Sequence, residues 1–385
     1  MAHKLYVLRP MLLPNSAVIN RMMGHLRAFS EAGFEVEAAF IAPNANGDKV
    51  NDVIPGVTFH YCWGGSKIRN RYIRALFSYF WAWKYIKTIP SGSDVLLLGM
   101  DSYMNLFLCR KDLNVYYETT EHPALARNER QLRNYIKQCH RLKHIFVISR
   151  PLRQFFIDNG ISEDKVTIVN MTVDPRRFEG VEKQPVKEKY IAYCGTVTNN
   201  KDGVNDLLRA FAITHKSHPD VRLYIIGAIP DKEDKVGNMR LIEELGIKDS
   251  VVFNGVVPVA DMPQLLKNAT VMALDRPDSL QAQNGFPTKL GEYLLTGNPV
   301  VVTKVGDIPY FLKDGESALL SDDRNAEMFA SKLNWVFENA DKALTIGAKG
   351  KVIALQYFDC IKEGKKILDV INKPGYDKSY YLWYI

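Results

Sequence analysis

The chain reads as an α/β protein of two Rossmann-like, doubly wound domains facing each other across a cleft. Three observations carry this reading. Short, continuously apolar runs alternate with helical stretches over almost all of the 385 residues. Such runs, apolar throughout rather than at every second position, suit strands buried on both faces of a parallel sheet. The length itself suggests two to three domains of roughly 150 residues. Finally, a polar segment from Phe178 to Lys189, containing Gly180 and Pro185, breaks the alternation and precedes a fresh strand. The domains are therefore expected at residues 1–180 and 189–355, with a tail at 356–385 packing back on the first.

In chain order, the apolar runs predict strands at residues 4–8, 36–41, 95–98, 115–118 and 145–148 in the first half. The second half has them at 190–194, 223–226, 251–253, 271–274 and 299–303. Helices are expected between them, as at 19–32, 204–215 and 260–268. A late helix around 328–339 is expected to cross the domain junction together with the tail. This β-α alternation defines doubly wound domains. Ligands of such folds sit beyond the carboxyl ends of the strands, so two facing halves create an interdomain cleft.

Composition excludes several classes. With 46% hydrophobic and 24% charged residues, the chain is neither collagenous, low-complexity nor disordered. The apolar run at Leu5 to Leu8 is too short for a secretory signal, and no stretch approaches a membrane span. Five scattered cysteines (Cys62, Cys109, Cys139, Cys194 and Cys360) lack metal-ligand spacing and read as free thiols in a reducing compartment. A cytoplasmic location is expected, and no metal site. The Asn-x-Thr sequons at Asn170 and Asn268 are then chance.

The net charge of +7 is unevenly placed. Through Pro185 there are 25 Lys and Arg against 17 Asp and Glu; the remainder has 25 against 26. The excess points to an anionic partner for the first half: a membrane surface, nucleic acid or an acidic substrate. Much of it lies in residues 66–90, from Ser66 to Pro90. Lys67, Arg69, Arg71, Arg74, Lys84 and Lys87 occur there without an acid, interleaved with seven aromatics including Trp81 and Trp83. A basic, aromatic helix suits an anionic bilayer, peripherally bound. An ordinary amphipathic helix with its aromatics in the core competes with that reading. Nucleic acid would use similar residues, but no recognition motif accompanies them, and no nucleic-acid partner is expected.

Two segments carry chemistry. Asn284-Gly285-Phe286-Pro287-Thr288-Lys289-Leu290-Gly291-Glu292 runs on to Gly297-Asn298-Pro299-Val300. It reads as a loop, a helix starting near Pro287, a glycine stop and a strand. Free backbone N–H groups at such a helix start form an anion site. Glu292, about one and a half turns on, can face the same cleft and accept from hydroxyls, or it is a surface residue of a plain helix–strand unit. The second segment, Tyr193-Cys194-Gly195-Thr196 through Lys201-Asp202-Gly203, reads as strand, glycine turn, lysine and helix. Gly195 admits close approach of a ligand to the backbone, and Lys201 can reach a diphosphate as a point charge. The competing reading is a solvated surface lysine.

These segments resemble the C-terminal signature of GT-B glycosyltransferases, specifically the retaining family 4, also called group 1. The resemblance spans about residues 190–358. It rests on Glu292 as the second of two glutamates spaced i, i+8, on the Gly-x-Pro-Val-Val strand entry at Gly297, and on a Phe-Pro-x-Lys variant at Phe286. Asn284 stands at the first glutamate's position, and Thr196 where an arginine is usual.

The resemblance implies that Glu292 binds the nucleotide ribose and Asn284 the donor sugar. Asn284 can do so because an amide both donates and accepts. It also implies that Lys201 and the backbone N–H groups of Gly285, Phe286, Thr288 and Lys289 surround the diphosphate, with Pro287, which has no N–H, in the same donor-binding loop. Lys289 is expected to replace the missing cation. Gly195, Thr196, Gly227, Gly255 and Val256 are implied in donor binding, and Asn15, Ser16, Glu121 and His122 on the acceptor side.

The implied activity is retaining sugar transfer from a UDP- or GDP-sugar to a hydroxyl of a glycan or lipid-linked acceptor. It is metal-independent, with the nucleotide sugar as co-substrate and no further cofactor, as in cell-surface polysaccharide synthesis. A catalytically silent nucleotide-sugar binder, a GT-B epimerase and a phosphorylase share the fold. A nucleotide-dependent dehydrogenase is disfavoured, because no Gly-x-Gly-x-x-Gly follows the first strand.

Overall fold

The computed structural model describes residues 3–14, 16–44, 46–65 and 67–372. The first domain runs β1 (Lys4–Arg9), α1 (Ala17–Glu31), β2 (Glu35–Phe40), β3 (Val57–Tyr61), α2 (Arg71–Thr88) and β4 (Asp94–Leu98). It continues with α3 (Met104–Leu108), β5 (Asn114–Thr119), α4 (Glu129–Cys139), β6 (His144–Val147), α5 (Arg150–Asp158) and β7 (Val166–Ile168). The second begins with β8 (Tyr190–Cys194), α6 (Asn199–Asp202), α7 (Val204–Ser217), β9 (Arg222–Ile226), α8 (Lys232–Glu244), β10 (Val251–Gly255) and α9 (Met262–Asn268). Then come β11 (Val271–Leu274), α10 (Leu280–Asn284), α11 (Thr288–Leu295), β12 (Val300–Thr303), α12 (Ile308–Phe311) and β13 (Leu319–Ser321). Three helices end the described chain: α13 (Ala326–Glu338), α14 (Ala340–Tyr357) and α15 (Cys360–Ile371).

Both sheets are wholly parallel. The first has seven strands in the order β3-β2-β1-β4-β5-β6-β7, the second six in the order β10-β9-β8-β11-β12-β13. The strand order reverses between β1 and β4 in the first, and between β8 and β11 in the second. Those are the crevices where ligands of open α/β sheets bind. Central strands β4, β11 and β12 are buried along their whole length, as helices on both faces require. Three strands, β3, β7 and β13, fall outside the apolar runs. β3 lies at a sheet edge and is half-exposed, and the other two are three residues long, so none needs a continuous apolar stretch.

The late helix corrects an expectation: α13 does not cross the junction but packs on α7 and β13 of its own domain. α15 makes the crossing and lies on α1. Small residues let the two helices meet. A Cβ on Gly24 would sit 2.7 Å from Cβ of Cys360, and one on Gly364 would collide with Ala28. Glu363 of α15 accepts from the backbone N–H of Asn170 at 2.7 Å and from Lys366 at 2.7 Å. Beneath, Arg21 of α1 donates to Glu118 of β5 at 2.8 and 3.1 Å and to the carbonyls of Val169 and Asn170. His25 reaches the same carboxylate at 3.0 Å. All five cysteines are free.

Candidate functional site

The carboxyl ends of β8 and β9 are bare backbone. Gly195 and Gly227 take φ of 154° and 142°, a region that side chains disfavour. A Cβ on Gly227 would collide with the carbonyl of Gly195, and one on Gly195 would sit 2.5 Å from Nζ of Lys289. The two strand ends therefore touch each other, and the Lys289 ammonium lies directly over the first.

Lys289 is on the first turn of α11. Pro287 is its N-cap residue and no side chain caps the turn, so the helix start keeps its donor character. Tyr293 of the same helix fixes its position: its buried hydroxyl accepts from the Cys194 N–H at 2.6 Å and donates to the Cys194 carbonyl at 2.9 Å. Phe286 anchors the preceding loop by packing on Phe311 and Phe358, at ring distances of 5.6 and 5.2 Å. Gly291 lets α11 press against Met171 and Val173.

The charges around this point are paired. Lys289 Nζ lies 2.7 Å from Asp202 Oδ2 and donates to the Tyr193 hydroxyl at 3.1 Å. That hydroxyl donates onward to the Thr196 carbonyl at 2.7 Å. Burial lowers the Lys289 pKa, with the Asp202 carboxylate opposing it and the nearby Arg276 and Lys201 cations adding to it. Asp202 closes the four-residue helix α6, and Gly203 follows in the left-handed region at φ 60°, pressed on the Asp275 carbonyl. Burial, together with Asp206 and Asp323, pushes the Asp275 carboxyl up to about 8.

The remaining candidates spread around this centre. Lys201 is exposed on α6. Glu292 is paired with Arg177, on the segment joining the domains. Asn284 is buried; its amide donates to the Leu280 carbonyl at 3.0 Å, and its own carbonyl accepts from Ser149 of the first domain. Gly285 lies opposite the Thr120 carbonyl. Glu121 accepts from Gln281 across the seam at 3.0 Å, and the Arg150 N–H donates to Asp307 at 2.8 Å. His122 accepts from the Ala124 N–H at 3.2 Å, and burial lowers its pKa.

The structure thus brings Gly195, Gly227 and Lys289 together, leaves Lys201 exposed on the neighbouring α6, and sets Asn284, Gly285 and Glu121 along the adjoining seam. Thr196 and Val256 are exposed, Val256 by 79%, and Gly255 ends the outermost strand. Ser16 caps α1, accepting from the Ile19 N–H at 3.4 Å. Asn15 lies outside the described residues. Lys289 is a correction of emphasis: Asp202 already matches its charge, so it is not a free replacement for an arginine. Arg276 and Asp202 are the residues that sequence reasoning missed. Arg276 is 3% exposed on the loop leaving β11, and the charged pair Asp275-Arg276 after the buried run Val271–Leu274 was its signal. Among the described residues, no group of three or more His, Cys, Asp or Glu is placed to hold a metal ion.

The basic helix α2 keeps most of its aromatic side chains at the surface. Its fully buried residues are Ser78, Ala82 and Ile86, with Trp81 and Tyr85 partly buried against the core beside them. Tyr72, Leu76, Tyr79, Phe80 and Trp83 are 44–70% exposed. The aromatics are therefore not mainly core. Lys84 and Lys87 lie over the rings of Phe80 and Trp83 at 4.8 and 3.3 Å. Among the described residues, no helix is long and apolar enough to cross a membrane.

Comparison with known proteins places this geometry. Anabaena HepE, solved in complex with UDP and glucose, superposes with a TM-score of 0.75 at 16% identity, over 97% of this chain and 100% of that one. A glycosyltransferase from Rickettsia africae gives 0.72 at 14% identity, over 97% and 100%. At such identities the likeness shows the fold, and the fold is GT-B.

Residues 176–352 match the family described as Glycosyl transferases group 1. The chain is 27% identical over 190 residues to the D-inositol 3-phosphate glycosyltransferase of Corynebacterium urealyticum, covering 48% of this chain and 43% of that protein. It is 22% identical over 194 residues to the GDP-mannose-dependent alpha-(1-6)-phosphatidylinositol monomannoside mannosyltransferase of Mycolicibacterium smegmatis, covering 50% of each. These matches span half or less of the relatives' lengths.

Proposed function

We propose that the chain is a retaining glycosyltransferase. It moves a sugar from a UDP- or GDP-sugar to a hydroxyl of a glycan or lipid-linked acceptor, in cell-surface polysaccharide synthesis on the cytoplasmic side. The observation that carries this reading is the cluster at the β8 and β9 ends: two bare glycines and the uncapped start of α11, with the exposed Lys201 on the neighbouring α6. Such a cluster suits a diphosphate. Glu292, one turn along α11, is then the acceptor for ribose hydroxyls.

In the reaction the bond between the sugar's anomeric carbon and the diphosphate oxygen breaks, and a bond to the acceptor oxygen forms on the same face. The departing phosphate takes the acceptor's proton. Lys201 and the α11 start stabilise the charge that develops on it; one preorganised donor of this kind is worth roughly 2.7–4 kcal/mol. No metal is assigned a role. HepE was solved with UDP and glucose, which supports a UDP-sugar, whereas the mycobacterial relative's name supports GDP-mannose. Incubation with a panel of both donors tests the reading: release of nucleoside diphosphate with sugar transferred to a polyprenyl-linked acceptor supports it, and no transfer from any donor opposes it.

A binder without turnover is the second reading, favoured by Asn284, whose amide is already bonded to Leu280. The exposed aromatic and basic face of α2 supports peripheral binding to an anionic bilayer, where a lipid-linked acceptor resides.

A further inference from the structure

Arg276 leaves β11 at the strand-order reversal of the second sheet. It is buried, 3% exposed, and its Nε has no hydrogen-bond partner among the described residues. Nη2 reaches the Gln281 carbonyl at 3.3 Å. The guanidinium can donate five hydrogen bonds in a planar fork. The two acids nearest in charge, Asp202 and Glu121, are already engaged: Asp202 with Lys289 at 2.7 Å, and Glu121 with the Gln281 amide at 3.0 Å.

Burying a cation without a matched anion is unfavourable by several kcal/mol. Charged groups held in this way cluster at functional sites. The surroundings fit an incoming anion. Gly285 has no side chain, and Nη2 lies 4.0 Å from where its Cβ would be. Gln281 links this point to Glu121 of the first domain, so the fork lies on the seam between the donor cluster and the acceptor side.

We propose that Arg276 clamps the β-phosphate of the nucleotide sugar, the phosphate that carries the sugar and leaves with the nucleotide. The inference rests on the glycosyl-transfer reading of the same cleft. A planar fork matches two phosphate oxygens at once, which an ammonium cannot do. Arg276 then acts together with Lys201, while Lys289, held by Asp202, positions α11 and the β8 turn.

Calorimetric titration of UDP, UMP and inorganic pyrophosphate, with GDP and GMP in parallel, into wild type, Arg276→Gln and Arg276→Lys tests this. A charged hydrogen-bond pair implies that Arg276→Gln weakens diphosphate binding on the order of 10- to 100-fold. Monophosphate binding should move less than about threefold, because that ligand has no β-phosphate. Arg276→Lys should recover part of the loss, and where Arg276→Gln does not fold, Arg276→Lys alone must still show reduced preference for diphosphate over monophosphate. Equal losses for both nucleotides, or none, overturn the clamp while leaving the glycosyl-transfer reading intact. Arg276-dependent binding of pyrophosphate without any nucleotide binding upholds the clamp and overturns that reading. A wild type that binds none of the five ligands overturns both.

Discussion

Arg177, on the segment joining the two domains, donates to the Glu292 carboxylate on α11. The pair ties the junction to the helix that starts at the candidate site. Both side chains keep roughly a quarter of their surface exposed, 25% and 22%. A part-buried pair that keeps this much contact with water contributes little, about 0–1 kcal/mol. Arg177→Ala should therefore shift urea unfolding by less than about 1 kcal/mol. A loss above about 3 kcal/mol would make the pair a structural strut and remove Glu292 from the ligands' reach.

The Arg21–Glu118–His25 cluster predicts the pH dependence of the first domain. Burial alone would raise the Glu118 pKa, but the Arg21 guanidinium and His25 overcome it and hold the carboxyl well below its ordinary range. A depressed carboxylate stabilises the fold above its unfolded pKa and loses that contribution as pH falls through the folded one. Glu118→Gln should cost about 3–5 kcal/mol at pH 7 by leaving Arg21 buried without its anion. The gap to wild type should shrink in urea titrations near pH 3. A gap that stays constant with pH would show that packing, not charge, is what the substitution disturbs.

Gly203 is the hinge between α6 and α7. Its φ of 60° is strained for any other residue, and a Cβ would strike the Asp275 carbonyl. Gly203→Ala should destabilise the protein by roughly 2–5 kcal/mol, from strain plus overpacking. It should also loosen Asp202, and with it Lys289. Wild-type melting behaviour in this variant would contradict the packing described here.

The α2 face predicts lipid dependence. Each basic residue near an anionic surface contributes roughly 1 kcal/mol. Lys84→Glu with Lys87→Glu should weaken co-sedimentation with phosphatidylserine vesicles by more than roughly tenfold. Trp83→Ser should weaken it as well, with neutral vesicles binding poorly throughout. Equal sedimentation of all forms would leave α2 without a bilayer partner.

The apolar runs were legible to the residue at β8 and β11, because a strand buried on both faces admits little else. The start of α11 just after Pro287 and its stop just before Gly297 were legible as well, since Pro and Gly act through the local backbone. The edge strands β3 and β13 were not, because half-exposed or three-residue strands leave no continuous pattern. Nor were the pairing of Lys289 with Asp202 and the enclosure of Arg276. Each depends on which loops meet at the strand ends, and that is a property of topology rather than of local spacing. The aromatics of α2 were visible, but their exposure was not: helical periodicity does not say how wide the docking seam is. Here Ser78, Ala82 and Ile86 are fully buried, Trp81 and Tyr85 partly so, and the rest of the aromatics face outward.

The central claim is that a nucleoside diphosphate binds at the β8–β9 ends and the α11 start, with Glu292 on its ribose. Calorimetric titration of UDP and GDP into wild type and Glu292→Ala tests this most directly. One nucleotide should bind per chain, and Glu292→Ala should weaken it on the order of 10- to 100-fold, the worth of hydrogen bonds to a charged group. Full-strength binding by Glu292→Ala, or no binding of either nucleotide to wild type, would contradict the account.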